Sequence, residues 1–444
     1  MMFKATYPDA DSPIFNFDEV LAETDAAATN VTSDRSAHTI DRTTVAHFIA
    51  LYGSAVATDW LEFDRYRIWQ APFGLVPESS FPPVQGYMQY KSHIFAWGNP
   101  LVSSTSALAP TARAFYQWAI KLGLKPVWCC IDLAMEKVLA EELGWAGVEC
   151  IHEETLDPDH VLELMSKKGM QGVGVVKDLK RKLRKAEGEG VTIEEVTMKM
   201  GPKDREEVEK GLQEWRRNKS SKGIQLASST GEPWVDETHR RYWFARQRGR
   251  IVGLLILTPI HGPCQIAKPT LTSTYQCSPS SSTSSIASCG SDNPSPIFCP
   301  QGSSSSSTSS LMSVGCPEPH PTYSYYHIKN AVSFPNAPQG TSELLIYTAL
   351  TSIVKSCPPS SPRPMISFGI TASNELKPID NLTGWKVTWM STMYNRVVNG
   401  TGLWKRGHFR AKFDSGREAR YICYPTQDGF GIDRIRALLK VLMN

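Results

Sequence analysis

The sequence has no run approaching the ~20 consecutive apolar residues that a helix needs to cross a bilayer. Its start, Met1 to Asn30, is acidic and alanine-rich, without the basic-then-apolar order of a secretion signal. A cytoplasmic placement is therefore expected. It also lacks any C-x-x-C pair: of ten cysteines, Cys264, Cys277, Cys289, Cys299 and Cys316 lie in a Ser-rich tract and the others are scattered. That argues against a disulfide framework and a zinc site; no other metal and no bound cofactor is expected. There is no Ser/His/Asp order, no His-Glu-x-x-His and no kinase motif set, and His320, His327 and His408 stand alone. Net charge is scarce too, at +3, so contact with nucleic acid has to come from a local cluster.

The 444 residues are 41% hydrophobic and 20% charged, enough for one large core or two average ones, with two expected. After a tail to Asp41, apolar periodicity gives a helix over Thr43 to Thr58, a strand over Gly86 to Trp97, a helix over Ala112 to Leu122, a buried strand from Lys125 to Leu133 holding Cys129 and Cys130, and a helix over Ala134 to Leu143. Then come strand Val191 to Thr197, helix Asp204 to Arg217, a hairpin of Tyr242 to Arg246 with Ile251 to Thr258, strand Tyr326 to Phe334, helix Thr341 to Lys355, and strands Met365 to Thr371 and Ala419 to Tyr424. Between Pro263 and Tyr323 periodicity gives way to Ser, Thr, Pro and Gly, the composition of a disordered insertion.

Strand, helix, hairpin, strand, proline-bearing turn into a Gly-Thr helix start, strand: this second-half order is that of an acetyltransferase-like (GNAT) fold, and the first half reads as a divergent copy. The expected class is α+β (α/β-like), with tandem GNAT-like domains whose mixed sheets are flanked by helices. The expected divisions are a flexible tail 1–41, a first domain 42–174, a basic connecting helix 175–189 and a second domain 190–444 interrupted by the insertion 263–323.

Three clusters carry chemistry. Lys177 to Lys185 holds six cations and one acid, with Leu179 and Leu183 spaced to dock one helical face. A solvated helix surface is the plain reading, but six crowded cations favour a polyanion, RNA backbone ahead of anionic lipid. Second, Val332-Ser333-Phe334-Pro335-Asn336-Ala337-Pro338-Gln339-Gly340-Thr341 delivers the chain to a helix N-terminus, where N–H donors and the helix dipole suit a phosphate. A single glycine there, in place of the Gln/Arg-x-x-Gly-x-Gly/Ala of acetyl-CoA users, favours one phosphodiester over a coenzyme A pyrophosphate. Third, Gly402 to Phe413 and Arg417 to Pro425 interleave aromatic and basic residues, suited to phosphates and stacked bases or to a basic loop before a core strand.

With Trp97-Gly98-Asn99-Pro100-Leu101, Val176 to Gly190 and Gly249-Arg250-Ile251-Val252-Gly253, the order of these segments resembles the aminoacyl-tRNA-dependent lipid aminoacyltransferase domain at the C-terminus of bacterial phosphatidylglycerol lysyltransferases. Lys329, Asn330 and Val332 stand where bacterial members carry an acid and arginines, and Asn336 replaces an aspartate. The Ile328 to Pro338 run resembles instead the fungal branch that esterifies ergosterol, and a chain with no room for a fused synthetase is expected to be similar to that branch's freestanding form, which uses glycyl-tRNA.

The resemblance implies an aminoacyl-tRNA-dependent acyltransferase acting on the 3β-hydroxyl of ergosterol. Phosphatidylglycerol or another lipid as acceptor, and a coenzyme A-dependent acyltransferase, stay open. Aminoacyl-tRNA is co-substrate, and contact with a sterol-containing membrane is peripheral. The implied roles are charge stabilisation by Lys412, and orientation by Tyr421 with Asn336 or Glu343. Gly340 and Thr341 face the tRNA 3′ end, Lys177, Lys180, Arg181, Lys182, Arg184, Lys185, Lys405 and Arg406 take RNA backbone, and Trp385, Trp389 and Met390 line an apolar tunnel. The catalytic base stays open, the vicinal ribose hydroxyl being one candidate.

Overall fold

The computed structural model describes residues 40–166, 173–220, 232–262, 323–358, 363–382, 391, 394, 405–427 and 431–443. The expected insertion up to 322, the tail to residue 39, and Trp385, Trp389 and Met390 lie outside them.

In chain order the elements are α1 (Arg42–Tyr52), a 3-10 turn (Ala55–Leu61), β1 (Arg67–Gln70), β2 (Val84–Tyr90), β3 (His93–Trp97), α2 (Leu108–Lys121), β4 (Lys125–Ile131), α3 (Leu133–Leu143), β5 (Trp145–Leu156), α4 (Pro158–Ser166) and α5 (Val173–Gly188). They continue with β6 (Val191–Glu195), α6 (Pro202–Ser220), β7 (Arg241–Gln247), β8 (Arg250–Ile260), β9 (Tyr325–Ser333), α7 (Thr341–Ser356), β10 (Met365–Pro378), α8 (Lys405–Arg410), β11 (Gly416–Pro425) and α9 (Ile432–Met443).

Among the described residues, all eleven strands join one mixed sheet in the order β1-β2-β3-β4-β11-β5-β10-β9-β8-β7-β6. The order is a near palindrome. From one side, β2-β3-β4 is followed by β11 and then β5; from the other, β8-β9-β10 is followed by β5 and then β11. Each half runs hairpin, crossover helix, parallel strand: β3 and β4 are parallel across α2, and β9 and β10 are parallel across α7. The last strand of each half then leaves its own neighbours and pairs inside the other half, β5 with β10 and β11 with β4, while β5 and β11 pair antiparallel with each other.

Alternating side chains feed both faces of this sheet. In β4, Val127 and Cys129 join the core beneath α1, the 3-10 turn and α9, whereas Trp128 and Ile131 join the core beneath α2 and α3. In β8, Leu255 and Leu257 face α5 and α7, whereas Leu254 and Ile256 face α6. The α+β class, a mixed sheet flanked by helices, is the one expected.

Local chemistry explains where the elements depart from the periodicity. The helix expected over Thr43 to Thr58 is two pieces. Asp41 caps it, accepting from the Thr44 amide at 2.9 Å, but Gly53 turns extended and residues 55–61 continue as a wholly buried 3-10 turn. The single strand expected over Gly86 to Trp97 is a hairpin folding at Lys91, whose φ is +52°. Strand β5 was not anticipated at all.

Candidate functional site

Helix α5 carries the basic cluster. Val176, Leu179, Leu183 and Ala186, spaced three or four apart, are all buried, the last three in the core they share with Leu345 and Ala349 of α7. A helix so rich in cations does not stand alone in water, and burying each leucine contributes about 2 kcal/mol toward fixing it. The opposite side projects cations: Lys177, Arg181, Arg184 and Lys185 are exposed, while Lys180 and Lys182 are half-buried. Lys185 Nζ donates to Gln339 Oε1 at 3.1 Å, so the basic helix and the turn before α7 are joined directly.

Gly340 makes that junction possible. Its φ is +99°, and a Cβ added to it would lie 2.1 Å from the Lys182 carbonyl oxygen. The glycine is thus required by the close approach of α5 to the start of α7. Thr341 beside it has no solvent exposure, and its hydroxyl donates to the Pro338 carbonyl at 2.7 Å. Both residues anchor the helix start through packing and a backbone hydrogen bond. Asn336 is exposed on the turn.

One turn into α7, the buried Glu343 carboxylate accepts from Lys412 Nζ at 2.8 Å. The same ammonium lies 3.7 Å from Asp178 Oδ2 on α5 and 5.3 Å from the centre of the Phe409 ring. Asp178 also takes a hydrogen bond from Arg181, which holds its carboxyl below the usual range. Lys412, Glu343 and the basic helix therefore form one connected group, with three-quarters of the Lys412 side chain withdrawn from solvent.

The segment bearing Lys412 is tied down by Arg410. Its guanidinium donates to the carbonyls of Phe368 at 2.7 Å and Gly369 at 2.9 Å, where β10 bulges against β5, and lies 3.4 Å from the buried Glu154 carboxylate. Arg417 Nε is 3.3 Å from the same carboxylate. Next along β5, Glu153 accepts from Arg420 at 2.5 and 3.0 Å and from Ser367 Oγ at 2.5 Å. Glu153 and Glu154 went unremarked in the sequence reading, and Asp178, Arg410 and Arg420 stood there only as members of their charged segments. The available signal was the pair of adjacent carboxylates opposite a segment with arginines at 410, 417 and 420.

Tyr421 is elsewhere. It is buried in the core that holds Trp128 and Trp145, burial pushes its hydroxyl up, and no hydrogen bond among the described residues joins it to Lys412, Glu343 or Asn336. The structure thus places Tyr421 in a buried cluster and does not bring it together with Lys412. The side chains of Lys405 and Arg406 fall outside what the structure describes.

A second buried constellation centres on Lys329 of β9. It is ion-paired with Asp59 of the 3-10 turn and lies 3.3 Å from Glu62, so a strand of the second half is bonded to the first. Burial holds the Glu62 carboxyl above its usual range despite that lysine. His327, two residues earlier, is pushed down to about 3 by burial and then by Lys329. No group of three potential metal ligands occurs among the described residues, and no helix among them is long and apolar enough to cross a membrane.

A family model described as phosphatidylglycerol lysyltransferase, C-terminal, matches residues 86–266, about two fifths of the chain. No curated protein matches the sequence. Among solved structures, a C-terminal domain of a putative lysylphosphatidylglycerol synthetase from Agrobacterium fabrum is 14% identical, with a TM-score of 0.57, over 90% of this chain and 96% of that one. L-PGS from Bacillus licheniformis is 12% identical, with a TM-score of 0.59, over 91% and 96%. At these identities the likeness is one of fold, and together with the family match it supports an acyltransferase.

Proposed function

We propose that this protein transfers an amino acid from an aminoacyl-tRNA to a lipid hydroxyl. The observation that carries the reading is the Lys412–Glu343 pair, seated through Asp178 against a helix that projects cations to solvent. The family match supports the same reaction class, since its description names a lysyl transfer to phosphatidylglycerol.

The donor ester is already activated, so positioning and charge stabilisation suffice. The acceptor oxygen attacks the aminoacyl carbonyl carbon, the bond from that carbon to the ribose oxygen breaks, and the acceptor's proton ends on the ribose oxygen. Helix α5 holds the RNA backbone. Lys412, oriented by Glu343, meets the negative charge that develops on the carbonyl oxygen. The vicinal ribose hydroxyl relays the proton.

Within this class the run from Ile328 to Pro338 favours the 3β-hydroxyl of ergosterol as acceptor, and glycine as the amino acid is proposed by analogy with the freestanding members of that branch. Phosphatidylglycerol is the second reading, favoured by the description of the matched family. The deciding experiment supplies labelled glycine, tRNA, glycyl-tRNA synthetase and either lipid, and counts label in the lipid extract. An alkali-labile ergosterol ester whose formation RNase abolishes is expected, its yield falling by at least about 100-fold in Lys412→Met while tRNA affinity changes little. Replacing Arg181 and Arg184 by alanine should instead weaken tRNA binding and lower its log–log salt slope by about one per lost phosphate contact. Label in neither lipid removes the proposal.

A further inference from the structure

Between Glu78 and Asp132 the sequence contains no aspartate or glutamate. The structure brings the lysines of this acid-free stretch together at one place. Lys121 ends α2 and Lys125 begins β4, and the amide of Lys125 donates to the Ser92 carbonyl at 2.7 Å, which sets the α2–β4 turn beside the β2–β3 turn carrying Lys91. Lys91 Nζ lies 5.4 Å from the centre of the Tyr90 ring. All three lysines are exposed, and among the described residues none of them forms an ion pair. On either side of Lys121 in the chain, Ile120 is 49% exposed and Leu122 is 53% exposed, although Leu124 in the same turn is buried.

We infer that this α2–β4 and β2–β3 corner is a docking surface for an anionic lipid bilayer. Uncompensated lysines are drawn to the negative potential of acidic headgroups. Two aliphatic side chains raised among them gain by entering the acyl boundary, with the half-exposed aromatic of Tyr90 at headgroup level. RNA offers the lysines the same charge but gives Ile120 and Leu122 nothing apolar to enter, so the aliphatic pair selects lipid. The surface is separate from α5 and Lys412. The choice of a bilayer rests on the lipid-acceptor reading above, and it adds where the protein meets the membrane.

The test is flotation of the full chain with phosphatidylcholine vesicles, with and without phosphatidylserine. The wild type should float only with phosphatidylserine present. Both Ile120→Ser/Leu122→Ser and Lys91→Gln/Lys121→Gln/Lys125→Gln should lose at least about 10-fold in partitioning, and all these positions are exposed, so folding is undisturbed. In a separate variant, Leu122→Trp, the new indole's emission should shift to the blue on anionic vesicles and stay unchanged on tRNA. A wild type that does not float, variants that float equally well, or a shift with tRNA each overturn the inference. Transfer to a detergent-dispersed acceptor separates this from the catalytic reading: the surface variants should match the wild type there. If the wild type floats but transfers nothing, the catalytic reading fails and the docking surface stands.

Discussion

Replacing Gly340 by alanine measures how closely the basic helix is seated. The added Cβ would stand 2.1 Å from the carbonyl oxygen of Lys182 and 2.8 Å from its carbon, so α5 and the start of α7 must separate by about 1 Å to regain an ordinary contact. The positive φ of +99° adds about 1–2 kcal/mol for an L-residue, and overpacking against backbone adds about 1–3 kcal/mol. Gly190, just after α5, supplies the control: its φ is +76° but nothing lies within 4 Å of an added Cβ. Gly190→Ala should therefore show the backbone component alone, about 1 kcal/mol, against about 2–5 kcal/mol for Gly340→Ala. Urea midpoints with unchanged m-values give both numbers. Equal losses in the two variants would refute the close approach, and with it the argument that this glycine serves packing rather than a phosphate.

Substitutions at three buried groups, His327, the Arg420–Glu153 pair and Tyr421, supply the other tests. His327 is held at about 3 in the folded chain against an unfolded value of about 6.5, so as pH falls below 6.5 the unfolded chain takes up a proton that the folded one refuses. Stability present above pH 6.5 is then lost, and between pH 7 and 5 the wild type should fall by about 2 kcal/mol more than His327→Gln in paired urea titrations. Arg420→Met leaves the buried Glu153 carboxylate without its guanidinium and should cost about 3–5 kcal/mol, much of it restored by Glu153→Met in the same chain; a loss under 1 kcal/mol would contradict the buried pair. Tyr421→Phe should keep the transfer rate within about threefold, whereas Tyr421→Ala should lose about 3–5 kcal/mol of stability; a rate collapse in the phenylalanine variant would return Tyr421 to the chemistry.

The second half was legible because its signals are local. The hairpin at Arg248-Gly249, the proline-to-glycine entry into α7 and the leucine spacing of α5 each lie within one short segment, and each formed close to where it was read. Strand β5 was hidden because its ends obey no such rule. Glu153 and Glu154 look like solvent-facing charges in Ile151-His152-Glu153-Glu154-Thr155, and only guanidinium groups arriving from residues 410, 417 and 420 make them tolerable in the middle of a sheet. The site divides the same way. Lys412 and Glu343 were named from sequence and do meet, but Asp178, which links them to α5, had been counted only as the one acid in a basic run. Tyr421 was misplaced because its neighbours on β11 alternate between faces, which put Tyr421 among tryptophans of the first half.

The slot between β4 and β5 has a cost during synthesis. Those two strands leave the ribosome with only a helix between them, yet the strand that fills the gap is made last, and contacts such as Arg420 to Glu153 span 267 positions. Until then the nascent chain carries open strand edges and two unneutralised carboxylates, which slows folding and invites association.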